Sequence, residues 1–271
     1  MQKIRQRYRY SVILLRELVR TDFKLRYQDS VLGYVWSLLR PLLLFLILYF
    51  VFTKFLKVGN AIPHYAVYLL LGIVFWNFFV EMTVGSVSTI VSKGDLIRKI
   101  NFPKYNIILA NSFSALINLS LNFIVIAIFM AFSHVAPSWH AVVLIPLIVE
   151  LYIFSISVAF LLSSLYVKFR DVGYVWDVCI QAGFYGTPIL YPLSRIPLHY
   201  HIIREIMTLN PLAQIIQDAR YTLVTRKTDT ISQVFSGDKW VWLIPISIVI
   251  MFAVFGSLYF RRHSRFFAEE V

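Results

Sequence analysis

The sequence predicts an all-α integral membrane protein with six transmembrane helices. Apolar residues make up 59% of its 271 residues and charged residues 15%, and the mean hydropathy is +0.70. Soluble domains contain roughly 45–50% apolar and about 25% charged residues. A soluble fold could not bury this many apolar side chains. Several stretches also reach the ~20 apolar residues that a helix needs to cross a bilayer.

Six candidate spans follow from this length rule. They cover residues 34–54, 66–91, 106–132, 141–167, 174–193 and 240–260. The prediction is therefore a single transmembrane domain over 34–260, flanked by tails at 1–33 and 261–271. An even number of spans places both tails on one side of the membrane.

The distribution of basic residues predicts the orientation. Both tails and the loops 92–105 and 168–173 together carry 17 Lys and Arg, whereas the opposite side carries 8, six of them in 194–239. Short cytoplasmic loops are enriched in Lys and Arg, so we expect both termini to be cytoplasmic. The net charge of +12 then indicates cytoplasmic loops and anionic lipid rather than nucleic acid.

The first tail contains an amphipathic segment, residues 12–29. Its apolar side chains recur at helical spacing, at Val12, Leu15, Val19, Phe23 and Tyr27. Basic side chains form a row on the other side, at Arg16, Arg20 and Lys24. This pattern predicts a helix that lies in the lipid headgroup layer, and it leaves room for a contact with a partner protein.

The segment 194–239 contains two stretches that are too short to span, Leu198–Met207 and Pro211–Leu223. Asn210 is a favourable N-cap and Pro211 suits the first helical turn, so a short helix is predicted to begin there. These helices could lie on the membrane surface, or re-enter the membrane where protein or water satisfies their backbone.

Several polar residues fall inside the predicted spans, where they are costly. Arg40 is close enough to the cytoplasmic interface to extend towards it. Glu81 follows Asn77 by one turn, and Glu150 lies in the fourth span. One face of the third span carries Asn111, Ser114, Asn118 and Asn122. Helix packing is the favoured role for this stripe, and pore lining is the alternative.

The loop KGDLIRKINFPKY, residues 93–105, separates two spans. Its residues 95–101 predict a short helix that ends before Pro103, because proline disfavours helix in the residue before it. Leu96, Ile97 and Ile100 alternate with basic residues, which favours a helix docked into a cleft. The alternative is a solvated basic loop.

The chain contains none of the common catalytic motifs. It has no phosphate-binding glycine loop of the Walker A type, no His-Glu-x-x-His, and one cysteine, Cys179. We therefore expect no catalytic residue and no metal or cofactor bound by this chain. If the protein moves a substrate uphill, another polypeptide or an ion gradient must supply the energy.

Four stretches resemble the membrane subunits of ABC-2-type ABC exporters, in the branch that exports O-antigen, capsule and teichoic acid. They are LVRTDFKLRYQDSVLGYVWSLLRPLL (18–43), SKGDLIRKINFPKY (92–105), YVKFRDVGYVWD (166–177) and, within 187–220, TPILYPLSRIP and LNPLAQIIQDAR. The resemblance covers nearly the whole chain and is closest to O-antigen and teichoic-acid permeases.

The resemblance implies a homodimer in the bacterial inner membrane with two copies of a separate cytoplasmic ATPase, which would bind ATP and Mg²⁺. The substrate would be a lipid-linked polysaccharide. The first cytoplasmic loop would provide the coupling helix to the ATPase, formed by Asp95, Leu96, Ile97, Arg98, Lys99, Ile100 and Asn101. The outer helices would close the pore, with a gate region that includes Pro188, Pro192, Asn210 and Pro211.

Aromatic residues are abundant, at 17% of the chain. Sugar rings present apolar faces that pack on aromatic rings, so aromatics on the first and fifth spans are candidates to line a channel at the dimer interface. These candidates are Tyr34, Trp36, Tyr49, Phe52, Tyr174, Trp176, Phe184, Tyr185 and Tyr191. Tyr and Trp also gather at membrane interfaces whatever the substrate, and that alternative remains open.

Two other functions are compatible with parts of the sequence. An ABC-2 exporter of drugs or small lipids would share the coupling and differ in the substrate site. A membrane-embedded glycosyltransferase would need an acidic metal-binding motif or a large soluble loop, and the sequence contains neither.

Overall fold

A computed structural model describes residues 12–21, 35–57, 59, 62–100, 102–136, 139–235, 237–238 and 240–270. These ranges are predominantly α-helical and contain no β-strand. The helices are α1 (12–21), α2 (Val35–Phe50), α3 (Tyr65–Val87), α4 (Thr89–Ser92), α5 (Gly94–Lys99), α6 (Tyr105–Phe132), α7 (Leu144–Lys168), α8 (Val172–Gly186), α9 (His201–Leu209), α10 (Pro211–Leu223), α11 (Ile231–Val234), α12 (Leu243–His263) and α13 (Phe267–Glu270).

Five helical segments of the described chain are long and apolar enough to cross a membrane. They are Val35–Phe55, Tyr65–Val87, Tyr105–Phe132, Trp139–Lys168 and Trp240–His263. They agree with five of the six predicted spans within a few residues. The first includes a π-helical turn at Val51–Phe55, and the fourth and last begin with short 3-10 turns.

The predicted span at 174–193 differs from the observed helix. Helix α8 has 15 residues and ends at Gly186, after which Thr187 is extended (φ −97°, ψ 135°). Pro188 accounts for this end, because proline pushes the preceding residue out of the helical region. Pro188 thus ends the helix, and a sixth crossing by α8 stays a prediction.

Helix α3 is the centre of the bundle. It packs against α2, α6, α7, α8 and α10. In its most apolar stretch 78% of the residues are buried, whereas the corresponding share in the first span is 11%. The apolar side chains of α3 are distributed around the whole helix, which is typical of a helix surrounded by other helices. In contrast, α8 has no buried residue and α2 has two, Pro41 and Phe45.

Polar contacts join α6 to α3. Asn111 Nδ2 donates to Ser86 Oγ at 3.0 Å, and Asn118 Nδ2 donates to Glu81 Oε1 at 2.7 Å. Asn122 donates to the Asn118 carbonyl oxygen of its own helix. The helix-packing role predicted for the asparagine stripe is confirmed for Asn111 and Asn118.

Helix α7 packs closely on α12. A Cβ added at Gly256 of α12 would meet the Ser157 carbonyl oxygen of α7, so only glycine permits this approach of the two backbones.

One end of the bundle gathers α1, α5 and α13 around a small apolar cluster. Ile97 and Phe267 are buried there beside Ile90 and Ile107, and Leu14 of α1 packs against the cluster. We call this the tail end of the bundle. Helices α9 and α10 lie at the opposite end of α3, where Tyr65 Oη donates to the Leu190 carbonyl oxygen at 2.9 Å. The rest of the predicted amphipathic segment, 22–29, lies outside the described residues.

Candidate functional site

The predicted coupling segment forms helix α5 at the tail end. Asp95 lies in its first turn and Arg98 and Lys99 in its last turn, which complements the helix dipole. The helix ends at Lys99 because Ile100 is extended (φ −129°, ψ 131°). A helix in this loop is thereby confirmed, and Asn101 lies outside the described residues.

From the sequence we expected the apolar side chains of α5 to dock into a cleft, and the structure shows that Ile97 packs within its own chain. Ile97 is 3% exposed and packs inside the chain, with Leu96 and Ile100 partly buried beside it. Asp95, Arg98 and Lys99 are the exposed residues of the helix. The most exposed side chains of α5 are therefore charged, and the buried side chain of Ile97 attaches the helix to α13 and the rest of the bundle.

At the opposite end, α10 begins as predicted. The side chain of Asn210 accepts a hydrogen bond from Leu212 N at 3.1 Å, and Pro211 occupies the first helical position. Asn210 is extended (φ −66°, ψ 121°), as an N-cap requires. The predicted N-cap role of Asn210 and the predicted position of Pro211 in the first turn are both confirmed. The cap fixes the start of α10 directly after the end of α9.

The segment 187–191 is irregular and its carbonyl groups need donors. Arg220 of α10 supplies them: Nη1 donates to the Pro188 carbonyl oxygen and Nη2 to that of Ile189, each at 2.6 Å. The same guanidinium donates through Nε to the Tyr68 carbonyl oxygen of α3 at 2.9 Å. Arg220 is fully buried. It therefore joins three elements: α3, α10 and the chain that follows α8.

Arg220 has no carboxylate partner among the described residues. Its charge is met by carbonyl oxygens, by Gln217 Oε1 at 3.1 Å, and by the Tyr68 ring, whose centroid lies 3.6 Å from the guanidinium carbon. A Cβ added at Gly72 would meet Nη2. Gly72 thus leaves the space that the guanidinium occupies.

The sequence reasoning did not single out Arg220. A signal was present, because Arg220 follows Ile216 by four residues and so falls on the apolar face of α10. A buried position for an arginine indicates that backbone or side-chain acceptors must meet it inside the protein.

Two further polar contacts shape this end. Arg204 of α9 forms an ion pair with Asp229 (3.2 Å). Gln214 donates to Asp218 at 2.6 Å. Burial raises the pKa of the Asp218 carboxyl to about 6, although the hydrogen bond from Gln214 lowers that pKa. Pro192 precedes a short 3-10 turn, Leu193–Arg195, that leads to α9.

The candidate channel aromatics fall into two groups. Trp36, Tyr174 and Tyr185 are exposed, at 47%, 77% and 68%. The other described candidates pack on the apolar core; they are Tyr49, Phe52, Trp176, Phe184 and Tyr191. Tyr34 lies outside the described residues. A channel role stays a prediction for all of them, and the exposed group is the one whose rings are accessible in the single chain.

The packed group makes specific ring contacts. Trp176 meets Phe79, and Phe184 meets Trp76, both edge to face with centroids 6.1 and 5.8 Å apart. These contacts fasten α8 to α3. Tyr191 Oη donates to the Tyr185 carbonyl oxygen at 2.9 Å, which closes the turn after α8.

A cavity of about 470 Å³ lies between α2, α3 and α6. Its polar lining comes from Ser37 and Arg40 of α2, Asn77 and Glu81 of α3, and Asn118 and Asn122 of α6. Polar groups grouped in this way at membrane depth usually face one another, a partner or water.

Comparison with known proteins defines the class. Residues 13–224 match the family model described as ABC-2 type transporter. That match covers most of the chain, which therefore belongs to the ABC-2 transporter family as a helical membrane permease.

Individual relatives are similar over much of their length. The chain is 34% identical over 215 residues to an O-antigen export system permease protein RfbA of Klebsiella pneumoniae, covering 79% of this chain and 81% of the relative. It is 27% identical over 274 aligned positions to the protein of the same name from Myxococcus xanthus, covering 99% and 98%.

Proposed function

We propose that this chain is the membrane subunit of an ATP-driven exporter of lipid-linked polysaccharide of the O-antigen type. The observation that carries the proposal is the similarity to O-antigen export permeases, which extends over 99% of the chain in one case. Two copies of the chain would assemble with two copies of a cytoplasmic ATPase in the bacterial inner membrane, with both termini cytoplasmic.

The charged surface of α5 supports a role in coupling to the ATPase. Asp95, Arg98 and Lys99 are exposed, while Ile97 attaches the helix to α13. A force applied to α5 would reach the bundle through this apolar contact. In our proposal ATP binding and hydrolysis on the partner move α5, and with it the ends of α3, α6 and α12.

The exposed faces of α2 and α8 support a dimer-interface channel. Both helices pack mainly on α3 and leave large apolar and aromatic side chains uncovered, including Trp36, Ile47, Tyr174, Val178 and Tyr185. In a two-fold assembly these faces would meet, and the exposed rings would offer repeated weak stacking sites to a sugar chain.

Arg220 supports a gate made of α9, α10 and the 187–191 segment. Because one side chain binds α3, α10 and this segment together, the three would move as a unit. The gate would open by displacement of that unit relative to the second copy.

Complementation tests the proposed function. A cell that lacks its own O-antigen permease receives this chain together with an ATPase of an O-antigen export system, and surface polysaccharide is measured. Restoration that depends on ATP hydrolysis by the partner is the expected result. Stable insertion and ATPase binding without any surface polysaccharide would contradict the proposal, and export of small amphiphiles by the same complex would favour the drug or small-lipid alternative.

A further inference from the structure

Helix α13 has one buried side chain in an otherwise exposed segment. Phe267 is 0% exposed, whereas its neighbour Phe266 is 51% exposed and residues 268–270 are exposed as well. A helix of only four residues, Phe267–Glu270, is too short to be stable by itself. The position of α13 therefore depends on what the ring of Phe267 contacts.

The contacts of Phe267 connect α5 with α12. Its ring meets the ring of Phe260 of α12 edge to face, with centroids 5.5 Å apart. It shares a buried apolar cluster with Ile97 of α5, and α5 contacts α13 more extensively than it contacts any other described helix. Phe260 in turn meets Phe160 of α7, with ring centroids 4.8 Å apart. A continuous apolar path thus leads from α5 through α13 to α12 and α7.

Helices α12 and α7 extend this path to the opposite end of the bundle. Helix α12 has 21 residues and is about 32 Å long, close to the thickness of a bilayer's hydrocarbon core. Gly256 lets its backbone pack directly on the Ser157 carbonyl group of α7, and α12 also contacts α10. Rigid helices packed in this way can carry coupling between distant sites. Movement of α5 would therefore reach α10, in the proposed gate, along α12.

A second route leads from α5 to the bundle without α13. Helix α4 lies between α3 and α5 in the chain and contacts both, so α5 could act on the central helix α3 directly. The contacts of α5 with α13 are more extensive than those with α4, which favours the route through α13. The two routes differ in one respect that can be measured, because only the first depends on Phe267.

From this geometry we propose that Phe267 positions α5 against α12, and that this contact transmits the movement of α5 to the outer end of the bundle. The inference rests on the proposed function and identifies a residue inside the chain on which coupling depends. Because Phe267 is fully buried, it offers no surface to the ATPase. Its loss should leave the ATPase bound and hydrolysing ATP, while less polysaccharide is exported for each ATP consumed.

Export per ATP in the assembled complex tests the proposal. Inverted membrane vesicles contain this chain, an ATPase of an O-antigen export system and lipid-linked polysaccharide, and ATP hydrolysis and protected polysaccharide are measured together. Phe267→Ala should lower the polysaccharide exported per ATP by about fivefold or more, as expected for the loss of a coupling between two sites. Retention of the ATPase on purification should not change. Phe267→Leu keeps an apolar side chain at this position and should restore most of the ratio.

Two further variants locate the effect. Phe266→Ala is the matched control, because it removes the same ring from the adjacent, exposed position, and it should export as the wild type does. Ile97→Val trims the residue of α5 that lies in the same cluster as Phe267. It should lower export per ATP in the wild type and change it little in Phe267→Ala, because residues that act through one contact are not additive.

A second readout needs no polysaccharide. In a Cys179→Ser background, the rate of thiol labelling at Ser194→Cys, before α9, is measured in the solubilised complex with and without ATP. We expect ATP to change this rate when Phe267 is present and to have no effect on it in Phe267→Ala. If the wild type exports no polysaccharide, the proposed function fails, whereas the labelling comparison still decides the role of Phe267.

Three results would overturn the proposal. The first is an unchanged export per ATP in Phe267→Ala, which would indicate the route through α4. The second is an effect of ATP on labelling that persists in Phe267→Ala. The third is a parallel fall of ATPase retention, hydrolysis and export in both Phe267→Ala and Phe267→Leu, which would show that the ring only stabilises the fold.

Discussion

The guanidinium of Arg220 stacks on the ring of Tyr68, 3.6 Å from its centroid, and donates to the Tyr68 carbonyl oxygen at 2.9 Å. These residues are 152 positions apart in the chain. The contact fixes α10 against the central helix α3, and the other donors of Arg220 hold the segment that follows α8. One side chain thus organises the whole end of the bundle that we propose to be the gate.

Replacement of Arg220 should destabilise this end strongly. Arg220→Met removes the donors to the Pro188 and Ile189 carbonyl oxygens, and the loss of such buried charged hydrogen bonds is expected to cost about 3–5 kcal/mol. Thermal unfolding in detergent, followed by fluorescence-detected size exclusion, measures the effect. Arg195→Met is the matched control and should unfold with the wild type. Equal unfolding temperatures for the two variants would contradict this role of Arg220.

Alanine at Gly72 should also destabilise the protein. Alanine favours a helix over glycine by about 1 kcal/mol, so a gain is expected wherever space allows. At Gly72 the added Cβ would meet Arg220 Nη2 and displace it. Gly186→Ala is the control, because a Cβ there has nothing within 4 Å. Gly72→Ala should lower the unfolding temperature and Gly186→Ala should not; the reverse order would show that the guanidinium moves without loss.

These positions show what the sequence could predict. Hydropathy located five spans within a few residues, and Asn210-Pro211 located the start of α10, because both signals are local. The end of α8 at Gly186 depends on Pro188 and was placed seven residues too late. Ile97 was assigned to a partner because a sequence does not show which apolar residue meets another part of its own chain. Arg220 was missed for the same reason, since its acceptors come from residues far away in sequence.

The exposed and buried residues of α5 should give different defects. Asp95→Lys with Lys99→Glu reverses two exposed charges and should abolish co-purification of the ATPase and export. The unfolding temperature should fall only slightly, because each reversed charge opposes the helix dipole by less than about 1 kcal/mol. Ile97→Asp buries a charge and should unfold the tail end, a loss of several kcal/mol. Unchanged ATPase retention and export in the charge-reversed variant would support a solvated loop.

Replacement of the exposed aromatic residues should impair export, whereas replacement of the packed ones should impair stability. Ala at Trp36, Tyr174 and Tyr185 should reduce export progressively, because each stacking contact contributes about 1 kcal/mol, and should leave unfolding unchanged. Ala at Trp176 or Phe184 should lower stability by about 1–3 kcal/mol through lost packing on α3. Normal export by the triple variant Trp36/Tyr174/Tyr185→Ala would show that these rings are interface anchors.

The proposed orientation can be tested with single cysteines in a Cys179→Ser background. Ser194→Cys precedes α9 and should react with an impermeant thiol reagent in intact cells. Glu269→Cys in α13 should react only after the membrane is opened. Both side chains are exposed, so burial would not protect either. Labelling of Glu269→Cys in intact cells, without labelling of Ser194→Cys, would show that the chain has the opposite orientation.

Transport in inverted membrane vesicles tests the central claim most directly. Vesicles that contain this chain, its ATPase and a lipid-linked O-antigen polysaccharide are given ATP, and the fraction of polysaccharide protected from an added glycan hydrolase is measured. The account predicts that protection grows with ATP and is absent when the partner ATPase cannot hydrolyse it. Polysaccharide that stays fully accessible, while the same vesicles accumulate a small amphiphile in an ATP-dependent manner, would contradict it.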